Sequence, residues 1–314
     1  MIRTPVCDLV GIEHPIFQGG MAWIADASLA GAVSNAGGLG IISAMNADAA
    51  WVRDQIHQVR AMTDRPFGVN IMLMSPFADE VAAMVAEERV PVVVTGAGNP
   101  TKYMKTWLAA GVKVIPVVAS CSMAKLVART GACAVIAEGG ESGGHVGDLT
   151  TMALVPQVVD TVSVPVLAAG GIADGRQMAA ALMLGAQGVQ VGTRFLVADE
   201  CTVSEVYKQK VIKAKDISTI VTGRRTGHPV RALKTPFTHD YAQLEATAQL
   251  DEELHGHSAG ALRAAAKDGD EERGYFMAGQ VAGMVTKEEP AAAIIEDLVQ
   301  GCERELRGAM RWVR

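Results

Sequence analysis

Aromatic side chains make up only 4% of this 314-residue sequence, and a formal net charge of −6 leaves no surplus of lysine and arginine. Nucleic-acid binding needs a positive field and usually stacking platforms, so both shortages count against it. Cysteine is scarce as well: Cys7, Cys121, Cys133, Cys201 and Cys302 form no C-x-x-C pair and no Cys/His metal spacing. They read as free thiols of a reducing cytosol, and no metal site is expected from them. No apolar run reaches about 18 residues, and the opening stretch MIRTPVCDLVGIEHP lacks an apolar signal core, so neither membrane spanning nor secretion is indicated. A G-x-G-x-x-G after a strand and a Walker lysine motif are both missing, which argues against a Rossmann dinucleotide site and a P-loop. The expectation is a cytoplasmic protein.

Apolar residues are plentiful at 49%, enough for a chain of this length to bury a large core without disulfide or metal staples. They fall into short runs: residues 15–19, 39–43, 67–73, 91–96, 113–118, 134–138, 165–169 and 188–192. Stretches such as 25–36, 78–88, 122–130 and 176–184 lie between them and carry apolar residues at helical spacing. Strands about 20–30 residues apart with helical crossovers pair in parallel. Eight successive units predict a closed (β/α)8 TIM barrel with a core over about 12–200. Beyond it, 201–240 has mixed charge, 241–267 reads as helical and 268–273 as a solvated loop. The segment 277–283, MAGQVAG, is apolar and glycine-bearing, and a closing helix is predicted over about 289–311. The tail reads as an insertion over the barrel mouth (about 201–276), then a return and closing helix (277–314). With no low-complexity linker, 1–314 is expected to be a single domain.

Chemistry concentrates at 138–147, EGGESGGHVG, directly after the sixth predicted strand. Glycines let a backbone approach a ligand closely, and this stretch reads as too glycine-rich for helix or strand. His145 is the nearby side chain that titrates near neutral pH; Glu138 adds a carboxylate and Ser142 a hydroxyl. In barrels of this kind a phosphate often binds the loops after strands seven and eight. Here those loops are AGGIADG at 169–175 and VGTRF at 191–195. Gly170 and Gly171 offer bare N–H groups beside a helix beginning near Asp174, and Gly192 with Thr193 repeats the arrangement. At the same end, QGGMA (18–22), Asn70 and TGAGN (95–99) form a nearly uncharged lining. Such a lining suits a flat, hydrogen-bonding ring better than a sugar phosphate, and flavin mononucleotide fits both ends.

The motifs HPIFQGGMAW, SNAGGLGIISA, RPFGVNIMLMSP, TGAGNP, AEGGESGGHVGDLTTM, AAGGIADG and QVGTRF resemble the flavin-dependent enoyl-[acyl-carrier-protein] reductase II family, within the nitronate monooxygenase (2-nitropropane dioxygenase) superfamily. The likeness is dense over 12–196 and returns at 277–283; 202–274 is the least recognisable part. GGH, AAGGxADG and GTRF are shared across the superfamily, whereas NIMLMSP, TGAGNP and the LTTM after GGHVG look characteristic of the reductases. The resemblance implies FMN on Gly20, Met21, Ala22, Asn70, Glu138, Ser142, Gly170, Gly171, Gly192 and Thr193, closed over by Met277, Gly279 and Gln280, with His145 catalytic. It implies NADH or NADPH as co-substrate and reduction of a trans-2-enoyl thioester, with His145 as proton donor or oxyanion partner. A homodimer is implied too, and some relatives suggest a monovalent cation in the tail.

The implied partner, acyl carrier protein, is acidic, as is this chain, so docking would need a local basic surface. Lys208, Lys210, Lys213 and Lys215 are candidates, as are Arg224, Arg225, Arg231 and Lys234, although such runs are usually solvated faces. Two alternatives stay open: a nitronate monooxygenase with His145 as base, and a flavin-free phosphate-binding barrel.

Overall fold

The computed structural model describes residues 2–247 and 251–312. Eleven strands occur among them: β1 (Ile16–Gln18), β2 (Gly40–Ser43), β3 (Phe67–Met72), β4 (Val92–Gly96), β5 (Lys113–Val118), β6 (Val135–Glu138), β7 (Gly144–His145), β8 (Val166–Ala169), β9 (Gly188–Val191), β10 (Thr219–Thr222) and β11 (Val230–Leu233). Eight pair in parallel in the order β1-β9-β8-β6-β5-β4-β3-β2. Leu39 N donates to Ile16 O (2.9 Å) and Gln18 N to Leu39 O (3.0 Å), which joins β1 to the start of β2 and makes the (β/α)8 barrel.

Alternation along the strands explains the layering. Phe17, Leu39, Ile41, Val92, Val94, Ile115, Ile136 and Leu167 fill the interior, joined by Val6, Cys7 and Val10 of the helix Pro5–Val10. Ile16, Ile42, Val69, Val93, Val114, Val135, Ala168 and Val189 belong instead to the cluster shared with the surrounding helices. Each fully buried residue of this type is worth about 1.5–3 kcal/mol relative to exposure. Several crossover helices start at side-chain caps, including Asp26, Asp48 and Ser120. The closing helix, Ala291–Gly308, lies against Gly175–Met183; a Cβ at Gly175 would sit 2.2 Å from Cys302 N.

Two expectations for the tail need correction. The segment 241–267 is not one helix: Asp251–Ser258 ends before Ala261–Arg263 begins, and the chain enters the latter through Gly260 at φ 74°. Residues 248–250 of the predicted helix lie outside the described residues, as do 313–314 of the closing segment. The mixed-charge region contains the hairpin β10–β11, and β11 pairs antiparallel with β7, Val230 opposite His145 and Arg231 opposite Gly144. So the histidine loop is partly strand, contrary to its glycine content. Pairing with a distant segment overrides local preference.

Candidate active site

The C-terminal strand ends and the insertion enclose a cavity of about 920 Å³. Gly20, Met21, Ala22, Asn70, Glu138, Ser142, His145, Gly170, Gly171, Gly192, Thr193, Met277 and Gly279 all line it, so residues more than 250 positions apart in sequence converge there. Gln280 does not. Its side chain is exposed, and its backbone N–H donates to Glu141 O (2.9 Å), so its place is structural.

The loop after β8 is held from three sides. Gln177 Oε1 accepts from Ala173 N (3.0 Å) and Asp174 N (2.9 Å), while Asp174 caps the helix Gly175–Met183. Thr151 Oγ1 donates to Gly170 O (3.0 Å), and Glu141 accepts from Thr151 N (2.9 Å). Gly170 stands at φ 88° and Gly171 at φ 71°, and a Cβ on Gly170 would meet Gly139 O at 2.7 Å. Only glycine fits both requirements. On the β9 loop, Thr193 Oγ1 accepts from Gly279 N (2.9 Å), tying the returning tail to the neighbouring cradle.

Glu138 ends β6 with Ser142 Oγ donating to its Oε1 (3.3 Å); burial pushes its carboxyl up to about 7, against that bond's lowering effect. His145 reaches solvent through the cavity, yet the surrounding protein and then the charge of His228 hold its pKa below the ordinary 6.5. The imidazole is therefore mainly neutral at pH 7, carrying one ring N–H and one lone pair. Its backbone is fixed by the insertion: Val146 N donates to Pro229 O (3.0 Å), and Arg231 Nη2 to Gly140 O (2.9 Å).

Several cavity residues escape sequence reasoning. Gln190 on β9 lines the cavity with a buried Oε1 that has no partner, an acceptor awaiting a ligand donor. A lone amide in an apolar barrel strand was its only signal. His228, Tyr241, Arg263 and Tyr275 enter from the insertion, where no motif marks them. Lys208, a docking candidate by sequence, is buried, donating to Ala198 O (2.8 Å) and pairing with Glu288 (3.3 Å). Its ammonium is already committed to the interior.

The nitronate monooxygenase family pattern matches residues 3–86 and 75–301. The chain belongs to the nitronate monooxygenase family. FabK from Thermotoga maritima is 50% identical over the full length of both chains and superposes with a TM-score of 0.98. A Mycobacterium tuberculosis enzyme, (3aS,4S,5R,7aS)-5-hydroxy-7a-methyl-1-oxo-octahydro-1H-indene-4-carboxyl-CoA dehydrogenase, is 42% identical over 74% of this chain and 67% of its own. A probable nitronate monooxygenase of Staphylococcus aureus strain Newman is 32% identical over 95% of this chain and 96% of its own. As a family member this protein is an oxidoreductase on a TIM barrel. No helix among the described residues is long and apolar enough to cross a membrane.

Proposed function

We propose that this protein is an FMN-dependent enoyl-[acyl-carrier-protein] reductase that uses NADH or NADPH. The observation that carries this reading is one cavity holding paired glycine cradles at one end and a neutral, backbone-anchored histidine beside it. The residues present fit FMN. Gly170, Gly171, Gly192 and Thr193 suit its phosphate, Glu138 and Ser142 its ribityl hydroxyls, and Asn70 and the unpartnered Gln190 Oε1 its polar ring edge. The full-length likeness to FabK, an enoyl-acyl-carrier-protein reductase II, supports the substrate class.

Bound FMN would supply hydride relay from the nicotinamide to the β-carbon of the enoyl thioester. The chain's own work is to bind, orient and donate. Negative charge develops on the thioester oxygen during hydride addition, and a donor aimed there lowers the barrier. A histidine held neutral suits that task through its ring N–H. His145 therefore reads as oxyanion partner more readily than as imidazolium acid, and the α-carbon proton can arrive afterwards. The insertion contributes Tyr241, Leu262 and Tyr275 to the cavity wall, where a bound substrate would meet ring and aliphatic surface in place of water.

Anaerobic mixing with NADH should bleach the flavin within the turnover time, and an enoyl thioester should restore the colour. His145→Ala should keep FMN yet lose about 10²- to 10⁴-fold in enoyl reduction. A flavin that NADH leaves oxidised, with nitronate and dioxygen turning over instead, would transfer the protein to the monooxygenase branch. The depressed pKa of His145 suits a base equally well, so this experiment separates the two chemistries.

A further inference from the structure

One side of the cavity has no role in that reaction. Strands β1 to β4 are neighbours in the barrel, and Trp23, Met45, Asn46, Met72, Met74 and Ala97 line the cavity at their ends. None is charged. Among the described residues, the charged side chains of the lining are Glu138 at the end of β6, Glu141 after it and Arg263 of the insertion, with His145, His228, Tyr241 and Tyr275 the titratable remainder. Three of the six are methionines, unbranched side chains that rotate about three bonds and refill space as a ligand changes length. Their backbone is unusual as well. Trp23 (φ 64°), Asn46 (φ 59°) and Ala97 (φ 52°) are three of the four non-glycine residues at positive φ among the described residues. L-residues disfavour that region, and such conformations gather at ligand sites where the surroundings enforce them. The cavity, at about 920 Å³, stands near the top of the roughly 300–1,000 Å³ typical of ligand pockets.

We propose that this methionine-lined side is the acyl-chain subsite, taking the linear hydrocarbon of the thioester while its polar carrier arm lies toward the insertion. The inference rests on the thioester reading above. It places chain-length selection on the barrel's first four strand ends, away from the phosphate cradles of β8 and β9.

Two measurements on the FMN-loaded full-length protein test it. In the first, ω-bromododecanoyl-coenzyme A, which cannot be reduced, should quench tryptophan fluorescence more than its unbrominated analogue, and Trp23→Phe should abolish the difference. In the second, a Met45→Phe/Met74→Phe variant should lose at least tenfold in kcat/KM for a twelve-carbon enoyl thioester relative to crotonyl thioester. Met74 is 55% exposed and Met45 follows β2 in a loop, so folding should survive, and a melting curve checks it. Equal effects on both chain lengths, no effect on either, or FMN loss from the variant would overturn the subsite. So would bromine quenching that ignores Trp23. If the parent reduces no enoyl thioester at all, the reductase reading fails, while the quenching result still decides the subsite.

Discussion

Gly20→Ala should weaken FMN binding about 5- to 150-fold, and the structure shows why. An ideal Cβ at Gly20 would lie 2.4 Å from Asn70 Cβ and 2.7 Å from its Cγ and Nδ2. Non-bonded carbons settle at about 3.5–4.0 Å, so one partner must retreat by about 1 Å. Rotating Asn70 does not help, because its Cβ is fixed by β3. That strand is paired on both sides, and Ala44 N donates to Asn70 O (2.9 Å). The segment Gly19 to Ala22 must therefore move, and all four of its residues line the cavity. Overpacking of this kind typically costs about 1–3 kcal/mol. In the free protein the loop can relax into the open cavity, but a bound ligand needs it back in place. The strain then appears as lost affinity, at tenfold per about 1.4 kcal/mol. Titrating apo-protein with FMN while following flavin fluorescence measures it. Gly96→Ala is the control, since a Cβ there meets nothing within 4 Å although Gly96 lines the same cavity. FMN affinity within twofold of the parent for Gly20→Ala, or equal damage from Gly96→Ala, would refute the reasoning.

Removing His228 should raise the pKa of His145, because the like charge that helps depress it is gone. If neutral His145 is the working form, the rate climbs with pH through that pKa and then levels. The acid limb of His228→Ala should accordingly lie at higher pH in a kcat/KM profile, and an unmoved limb would count against the pairing. Glu138, pushed up to about 7, gains its full charge only above neutrality. FMN affinity should thus rise with pH across 6 to 8 in the parent, and Glu138→Gln should flatten that dependence in equilibrium titrations. Gln280→Ala should leave FMN affinity within about twofold, since the backbone rather than the side chain of Gln280 makes its contact with Glu141. A larger loss would restore the residue to the ligand site.

The barrel was legible because its signals are local. Runs such as 91–96 and 113–118 announce strands through β-branched residues, and regular spacing leaves the parallel sheet little choice of topology. The glycine turn after β8 was legible for the same reason, as glycines at 170 and 171 sit where a strand must turn into a helix. What the sequence could not disclose is what depends on contacts between distant segments. The two-residue strand at Gly144–His145 exists because Val230 and Arg231, more than 80 positions later, supply its hydrogen bonds. Gln280 follows the same logic in reverse. Its neighbours Met277 and Gly279 reach the cavity, but the chain turns after Gly279 into a 3₁₀ segment and carries the Gln280 side chain outward. A resemblance transfers positions along the chain and leaves the direction of each side chain undetermined.

The shared sheet β10-β11-β7 gives the insertion a second task besides covering the cavity. Its strand β11 holds the backbone of His145, and Arg231 on that strand holds Gly140 at the other end of the glycine loop. Glu141 lies between them, accepting from Thr151, whose hydroxyl in turn holds Gly170 in the cradle after β8. One chain of backbone and side-chain hydrogen bonds thus runs from the insertion, through the histidine loop, to the glycine turn after β8. A displacement of the hairpin would carry His145 with it, because Val146 and His145 have no other strand to pair with among the described residues. The geometry that positions His145 and the geometry that closes the cavity are consequently one structure, although no motif in the sequence marks the insertion's share in it.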